Sequence, residues 1–233
     1  MPHLKVLLDG FQSFRDKYYK NSTLMQDVAT KSATPDVFLI QDTDAAGAAD
    51  ILFDQAPCTL FGTRIMAALV PPYDPQEANS NLRACIAHAI DIMKVKDIIV
   101  LGHTGSGGID ALVKRSKNKE IMSWMHAAEP ALAKAKAVTD EHDVDALCRE
   151  TERQCIIMSM RNLMTYPSVQ KAVKNGALRL HGWMFDMGRG VLLDYNLDTR
   201  YFEPLVGIDS DIGTMIDDAL SAERDFAAVT AVN

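Results

Sequence analysis

Two short segments carry the residue types that could do chemistry: Gln41-Asp42-Thr43-Asp44-Ala45-Ala46-Gly47 and Gly102-His103-Thr104-Gly105-Ser106-Gly107-Gly108. Asp42 and Asp44 stand two apart, and in an extended segment that spacing points both carboxylates to one side. The second segment supplies an imidazole, His103, and a hydroxyl, Ser106, within a glycine-rich turn able to aim backbone N–H groups at an anion. Where the two loops adjoin, two carboxylates, an imidazole and a hydroxyl converge. Such a set can move protons or hold a cation. The glycine-rich turn is not a phosphate-binding P-loop, because no Gly-Lys-Ser/Thr closes it and it does not fit GxGxxG. Nor is it a nucleophile elbow, since Thr104 stands where GxSxG needs glycine. Cys58, Cys85, Cys148 and Cys155 lack CxxC or CxxH spacing and offer no metal motif. They read as free thiols in a reducing, cytoplasmic compartment.

Both segments follow apolar runs of the kind buried parallel strands show, Val37-Phe38-Leu39-Ile40 and Ile98-Ile99-Val100-Leu101. The spacing predicts an amphipathic helical arm over residues 1–20, with Leu4, Leu7, Leu8, Phe11 and Phe14 on one face. A polar stretch from Asn21 to Asp36 separates that arm from the first strand. Further helices are expected over Asn79–Val95, Ile109–Arg115, Glu120–Ala137, Asp143–Thr165 and Ser168–Asn175. A second strand is expected near Thr59-Leu60-Phe61. After Ala177 the pattern becomes a hairpin, Leu178–Phe185 and Gly190–Tyr195 around Met187-Gly188-Arg189, with Tyr201-Phe202 as an edge. The expected fold class is α/β: a mostly parallel β-sheet flanked by helices, with an antiparallel C-terminal edge hairpin. No linker or repeat divides residues 1–233, which read as a single domain with a helical tail over 206–233.

Composition narrows the partners. The formal net charge of -7 argues against nucleic acid, because a phosphate binder needs a basic surplus. No apolar run approaches the roughly 18 residues a membrane span requires. A small-molecule substrate or anion is the expected ligand.

The glycine-rich turn, preceded by Ile98-Ile99-Val100, resembles the β-class carbonic anhydrase signature, G-H-S/T-x-C-G-G. Three further segments agree in order and spacing: Leu69-Val70-Pro71-Pro72-Tyr73, Arg161 to Val169, and Leu180-His181-Gly182-Trp183-Met184-Phe185-Asp186. The resemblance covers roughly Phe38 to Leu205. It implies a mostly parallel sheet, assembly as a homodimer or higher homo-oligomer, and an N-terminal arm that clasps the partner subunit.

The resemblance also implies a zinc site, built from a C-x-D-x-R segment and from the His and Cys of the second loop. Here the first ligand position is Asp42, the family aspartate is Asp44, its arginine partner is Ala46, and the second cysteine is Ser106. His103 and the family aspartate keep type and place, and both thiolates are gone. Loss of both thiolates makes ordinary zinc-dependent CO2 hydration unexpected, and no cofactor is expected. Should a divalent metal, zinc or other, bind after all, its ligands would be Asp42, Asp44 and His103, a harder set.

Three functions follow as expectations. The first is a diverged lyase or hydrolase using Asp42, Asp44, His103 and Ser106 as an acid–base pocket on a small carbonyl, carboxylate or CO2-like substrate. Arg64, Gly105, Gly107 and Gly108 would then contact the substrate. The second is a non-catalytic binding or assembly subunit. The third is a carbonic anhydrase with a substituted metal site. Residue by residue, Ser106 reads as a helix cap, Asp44 either as a site group or as a cap, and His181 and Trp183 as packing groups.

Overall fold

The computed structural model describes residues 2–31, 34–77 and 80–206. A six-stranded sheet in the order β2-β1-β3-β4-β5-β6 forms its centre. The strands are β1 (Val37–Asp42), β2 (Leu60–Ile65), β3 (Asp97–His103), β4 (Arg179–Asp186), β5 (Val191–Tyr195) and β6 (Phe202–Val206). β2, β1, β3 and β4 run parallel, whereas β4–β5 and β5–β6 are antiparallel. The expected mixed sheet with its terminal hairpin is therefore present.

β1 and β3 are apolar along their length because both faces of the sheet centre are covered. On one face, Phe38, Ile40, Ile98, Val100 and Met184 pack with Leu82 and Ile86 of α4 (Asn81–Ala87). The same cluster takes Ile156, Met160 and Leu163 from α8 (Val144–Leu163) and Val169 from α9 (Pro167–Lys174). On the other face, Leu39, Ile99 and Leu101 gather Trp183, Phe185 and Leu192 with Leu52 and Phe53. Leu52 ends α3 (Ala49–Leu52). α8 lies close against β4 because Gly182 lacks a side chain. A Cβ there would stand 2.9 Å from Ile156 Cγ2 and closer still to Met160 Sδ. A second cluster joins α5 (Gly107–Val113), α6 (Lys119–Met125), α7 (Glu129–Lys136) and α8 through Ile109, Leu112, Met125, Leu132, Leu147 and Cys155.

Several expected elements differ in detail. The polar stretch before β1 contains a helix, α2 (Leu24–Lys31), whose salt-bridged surface hides it from apolar periodicity. The expected helix over Glu120–Ala137 is split by a 3-10 turn at His126–Ala128, because Pro130 starts a new helix in its first turn. The helix expected to reach Val95 widens into a π-helix at His88–Met93 and ends at left-handed Lys94. The arm is helical as α1 (Pro2–Arg15) and continues in a π turn at Asp16–Lys20. Its Leu4, Leu7, Leu8 and Phe11 are exposed. The tail expected over 206–233 lies outside the described residues, save that Val206 ends β6. Among the described residues, no helix is long and apolar enough to cross a membrane.

Candidate functional site

Parallel pairing brings the two chemistry-bearing loops together. Gln41 is level with Leu101 across the β1–β3 ladder, so Asp42 and His103 both emerge at the carboxyl edge of the sheet. In open α/β sheets, that edge is where ligands bind.

Asp42 is buried, and each of its oxygens has a donor. Oδ1 accepts the Ala67 N–H at 2.8 Å, and Oδ2 accepts the Ser106 hydroxyl at 2.7 Å. The Ala67 amide reaches that position from a tight turn after β2, in which Ala67 and Ala68 take φ of 60° and 46°. Left-handed backbone costs an alanine about 1 kcal/mol or more, so the surrounding packing enforces this turn. The Trp124 indole contributes by donating to the Met66 carbonyl at 3.1 Å.

Asp44 faces the same point from the loop. Its Oδ2 accepts the Gly107 N–H at 2.6 Å, and its Oδ1 lies 3.0 Å from His103 Nε2. A Cβ on Gly107 would sit 2.7 Å from that Oδ2, so the approach requires glycine. Asp44 therefore makes no cap for α3, whose N-cap is Ala48 without a side-chain bond. Ser106 occupies the N-cap position of α5 but makes no capping bond, since its hydroxyl is turned to Asp42. In place of the expected capping role, the hydroxyl donates to a buried carboxylate.

His103 is buried with its Nδ1 3.0 Å from the Thr104 carbonyl. A carbonyl only accepts, so Nδ1 carries the hydrogen and the Nε2 lone pair points into the cluster. Asp42 Oδ2 lies 3.5 Å from Nε2 and Asp44 Oδ1 lies 3.0 Å from it. A lone pair and two carboxylate oxygens at these distances call for one positive charge among them, a proton or a cation. Burial drives the Asp42 pKa upward, with help from the Asp44 charge, although the Ser106 hydroxyl opposes the rise. Burial also pulls Asp44 upward, but the Gly107 amide, Asp42 and His103 outweigh it and its pKa falls. Asp42 is thus the carboxyl group more readily protonated and Asp44 the one more readily ionised.

The remaining expected residues serve the loops. Arg64 Nε donates to the Asp42 carbonyl at 3.3 Å and Nη2 to the Ala45 carbonyl at 2.8 Å. Gly105 and Ser106 N–H groups both donate to Glu152 Oε1, at 2.9 and 3.1 Å. Gly108 is buried in the first turn of α5. The turn does aim its amides at anions, as its glycines suggest, but the anions are the protein's own carboxylates. Glu152 belongs to no motif in the sequence. Its signal is its place on the α8 stripe of Cys148, Cys155 and Ile156, at helical spacing among buried residues.

The donors fit a metal ion as well as a proton. One ligand atom each from Asp42, Asp44 and His103 lies within 4.8 Å of the others, the one such group among the described residues. A four-coordinate ion with bonds near 2.1 Å spaces its donors roughly 3.4 Å apart, close to the distances here. With two oxygens and one nitrogen, the set favours harder ions than a dithiolate site does.

A family profile described as carbonic anhydrase matches residues 39–192. The chain is 31% identical over 194 residues to a carbonic anhydrase of Pseudomonas aeruginosa, covering 80% of this chain and 85% of that one. It is 29% identical over 198 residues to beta carbonic anhydrase 3 of Arabidopsis thaliana, covering 82% and 76%. Its fold superposes on the β-carbonic anhydrase CcaA with a TM-score of 0.81 at 23% identity, covering 89% and 94% of the two chains. A tetrameric β-carbonic anhydrase of Sordaria macrospora gives 0.72 at 21% identity, covering 83% and 97%. By sequence match across most of its length and by fold, the chain belongs to the β-carbonic anhydrase family.

Proposed function

We propose that this protein is a lyase or hydrolase of the carbonic anhydrase family whose centre is a proton-sharing Asp42–Asp44–His103 triad in place of a dithiolate zinc. The observation that carries the reading is the Nε2 lone pair held between two carboxylate oxygens, with Nδ1–H fixed on a carbonyl. A group with pKa tuned by burial and a like charge is suited to general acid–base work. In the forward step, the triad takes a proton from water. The water oxygen bonds to the substrate carbon, and the carbonyl π pair moves onto the substrate oxygen. Ser106 and the Ala67 amide hold Asp42 in place throughout. The substrate that fits is small and uncharged, a carbonyl compound or CO2-like molecule. Arg64 spends two N–H groups on loop carbonyls, and the Gly105, Ser106 and Gly107 amides are taken by Glu152 and Asp44. Arg64 and the Gly105 and Gly107 amides hold the loops around the triad, and Gly108 is buried in α5.

A second reading has its own observation, the spacing of the three ligand atoms. Asp42, Asp44 and His103 would hold a hard divalent ion, which would supply Lewis acidity and lower the pKa of a water. Metal analysis of protein purified without chelator, run beside CO2 hydration and carbonyl-substrate assays, separates the two. The triad reading expects no stoichiometric metal, with turnover abolished by Asp42→Ala and by His103→Ala. Stoichiometric zinc with hydration lost in Asp42→Ala would establish the metal reading instead. A folded protein turning over nothing would point to a non-catalytic subunit.

The exposed stripe of α1 supports a homodimer or higher homo-oligomer, with the arm laid on a partner subunit. Light scattering of the full chain and of a chain lacking residues 1–20 tests this. Four free cysteines suit a reducing, cytoplasmic setting.

A further inference from the structure

Glu152 lies outside the triad and is almost fully buried, at 3% exposure. Its Oε1 accepts the Gly105 and Ser106 amides and forms an ion pair with Arg149 Nη2 at 2.9 Å. Its Oε2 is buried with no hydrogen-bond partner among the described residues. Burying a carboxylate with one oxygen unsatisfied is costly, so a helix face that wanted only packing would carry an apolar residue here. The donors explain its presence. Two consecutive amides accepted by one oxygen fix the orientation of the Gly105–Ser106 peptide. The Ser106 side chain then projects toward β1, where its hydroxyl meets Asp42 Oδ2.

We propose that Glu152 is a positioning residue of the site, its Arg149-anchored carboxylate setting the Gly105–Ser106 peptide so that the Ser106 hydroxyl is aimed at Asp42. The inference deepens the reading of Asp42–Asp44–His103 as the functional centre, and rests on it for its catalytic meaning. Its geometric content stands separately. Burial raises the Glu152 pKa to about 7, against the pull of Arg149 and of the two amides. The groups facing it are Arg149, Cys148 and Cys155 on its own helix and His103 from β3. The carboxylate therefore holds the loop most firmly when ionised, above neutral pH.

Backbone NMR of the full-length chain tests the proposal without a substrate. In Glu152→Gln, the Gly105 and Ser106 amide protons should move upfield and exchange roughly tenfold to a hundredfold faster, the loss expected for charge-assisted bonds. Amides of Ile40 and Val100 should keep their protection. In the wild type those two loop shifts follow pH near neutrality, and in Glu152→Gln they do not. Arg149→Gln, a change at a half-exposed anchor, should move the same two amides in the same direction by less, and it decides the matter if Glu152→Gln does not fold. Unchanged loop amides overturn the proposal, as does exchange that quickens uniformly along β3, the mark of a merely structural role. Loop amides that respond as expected in a protein without turnover would uphold the positioning and defeat the acid–base reading alone.

Discussion

Removing the Ser106 hydroxyl probes the proton balance of the site through stability. Ser106 and Asp42 are 2% and 1% exposed, so Ser106→Ala leaves Asp42 Oδ2 without a hydrogen bond and without compensating water. The cost depends on the charge of Asp42. When Asp42 is protonated, the lost bond is neutral and worth about 1 kcal/mol. When it is ionised, the bond is charge-assisted and worth about 2–3 kcal/mol. The folded-state pKa of Asp42 lies above its ordinary 3.8, so the native state binds more protons and stability falls as pH rises from 3.8 through the folded value. The Ser106 hydroxyl lowers that folded pKa, and its removal raises it further and deepens the fall. The gap between wild type and Ser106→Ala should therefore widen with pH, from about 1 kcal/mol near pH 4 to about 2–3 kcal/mol at pH 8. Urea titrations over that range, with chelator present so that a proton is the available cation, read the gap as a change in midpoint at constant slope. Ser159→Ala serves as control, because that buried hydroxyl bonds only to the Val70 amide and Ala68 carbonyl and its loss should cost the same at every pH. A gap that stays flat, or narrows at pH 8, would refute the upward shift of the Asp42 pKa.

Three more outcomes are expected. A Glu152 pKa raised from 4.5 to about 7 corresponds to about 3 kcal/mol of stability lost as pH rises across that interval. Glu152→Gln should remove this slope, and urea midpoints that run parallel to wild type between pH 5 and 8 would contradict it. Gly182→Ala should destabilise by about 1–3 kcal/mol, because the added methyl collides with Ile156 and Met160; thermal unfolding at wild-type temperature would show the collision to be relieved cheaply. Asp42→Cys with Ser106→Cys should bind one zinc per chain, returning two soft donors beside His103, and metal analysis finding none would mean that the loop geometry does not suit a thiolate pair.

Much of the site's framework is legible in the residues themselves. The apolar runs before Gln41 and Gly102 mark neighbouring parallel strands, and parallel strands deliver their following loops to one edge. Asp42, Asp44 and His103 meet for that reason. What the pattern hides is where each polar group spends its hydrogen bonds. Ser106 has the sequence position of a cap, yet its hydroxyl donates to a buried carboxylate from a distant strand instead of accepting from the free amides of its own helix. Glu152 sits in Arg149-Glu150-Thr151-Glu152-Arg153, which reads as a solvated helix face until the loop above it is known. The left-handed Ala67 and Ala68 carry no local signal, because alanine prefers other backbone regions and only tertiary packing holds them there. Helix α2 escapes periodicity analysis for another reason: none of its residues is buried.

The bonds that define the site join segments far apart along the chain: 25 residues for Ala67 to Asp42, 59 for His103 to Asp44, 64 for Ser106 to Asp42 and 46 for Ser106 to Glu152. The complete set forms only when β1, the turn after β2, β3 and α8 have all found one another, and closing loops of that length is the slow part of folding. The proton-sharing triad is consequently a late event, assembled only as the last tertiary contacts lock. During refolding, recovery of the His103 environment would report arrival at the native state, whereas helix signals would return before it.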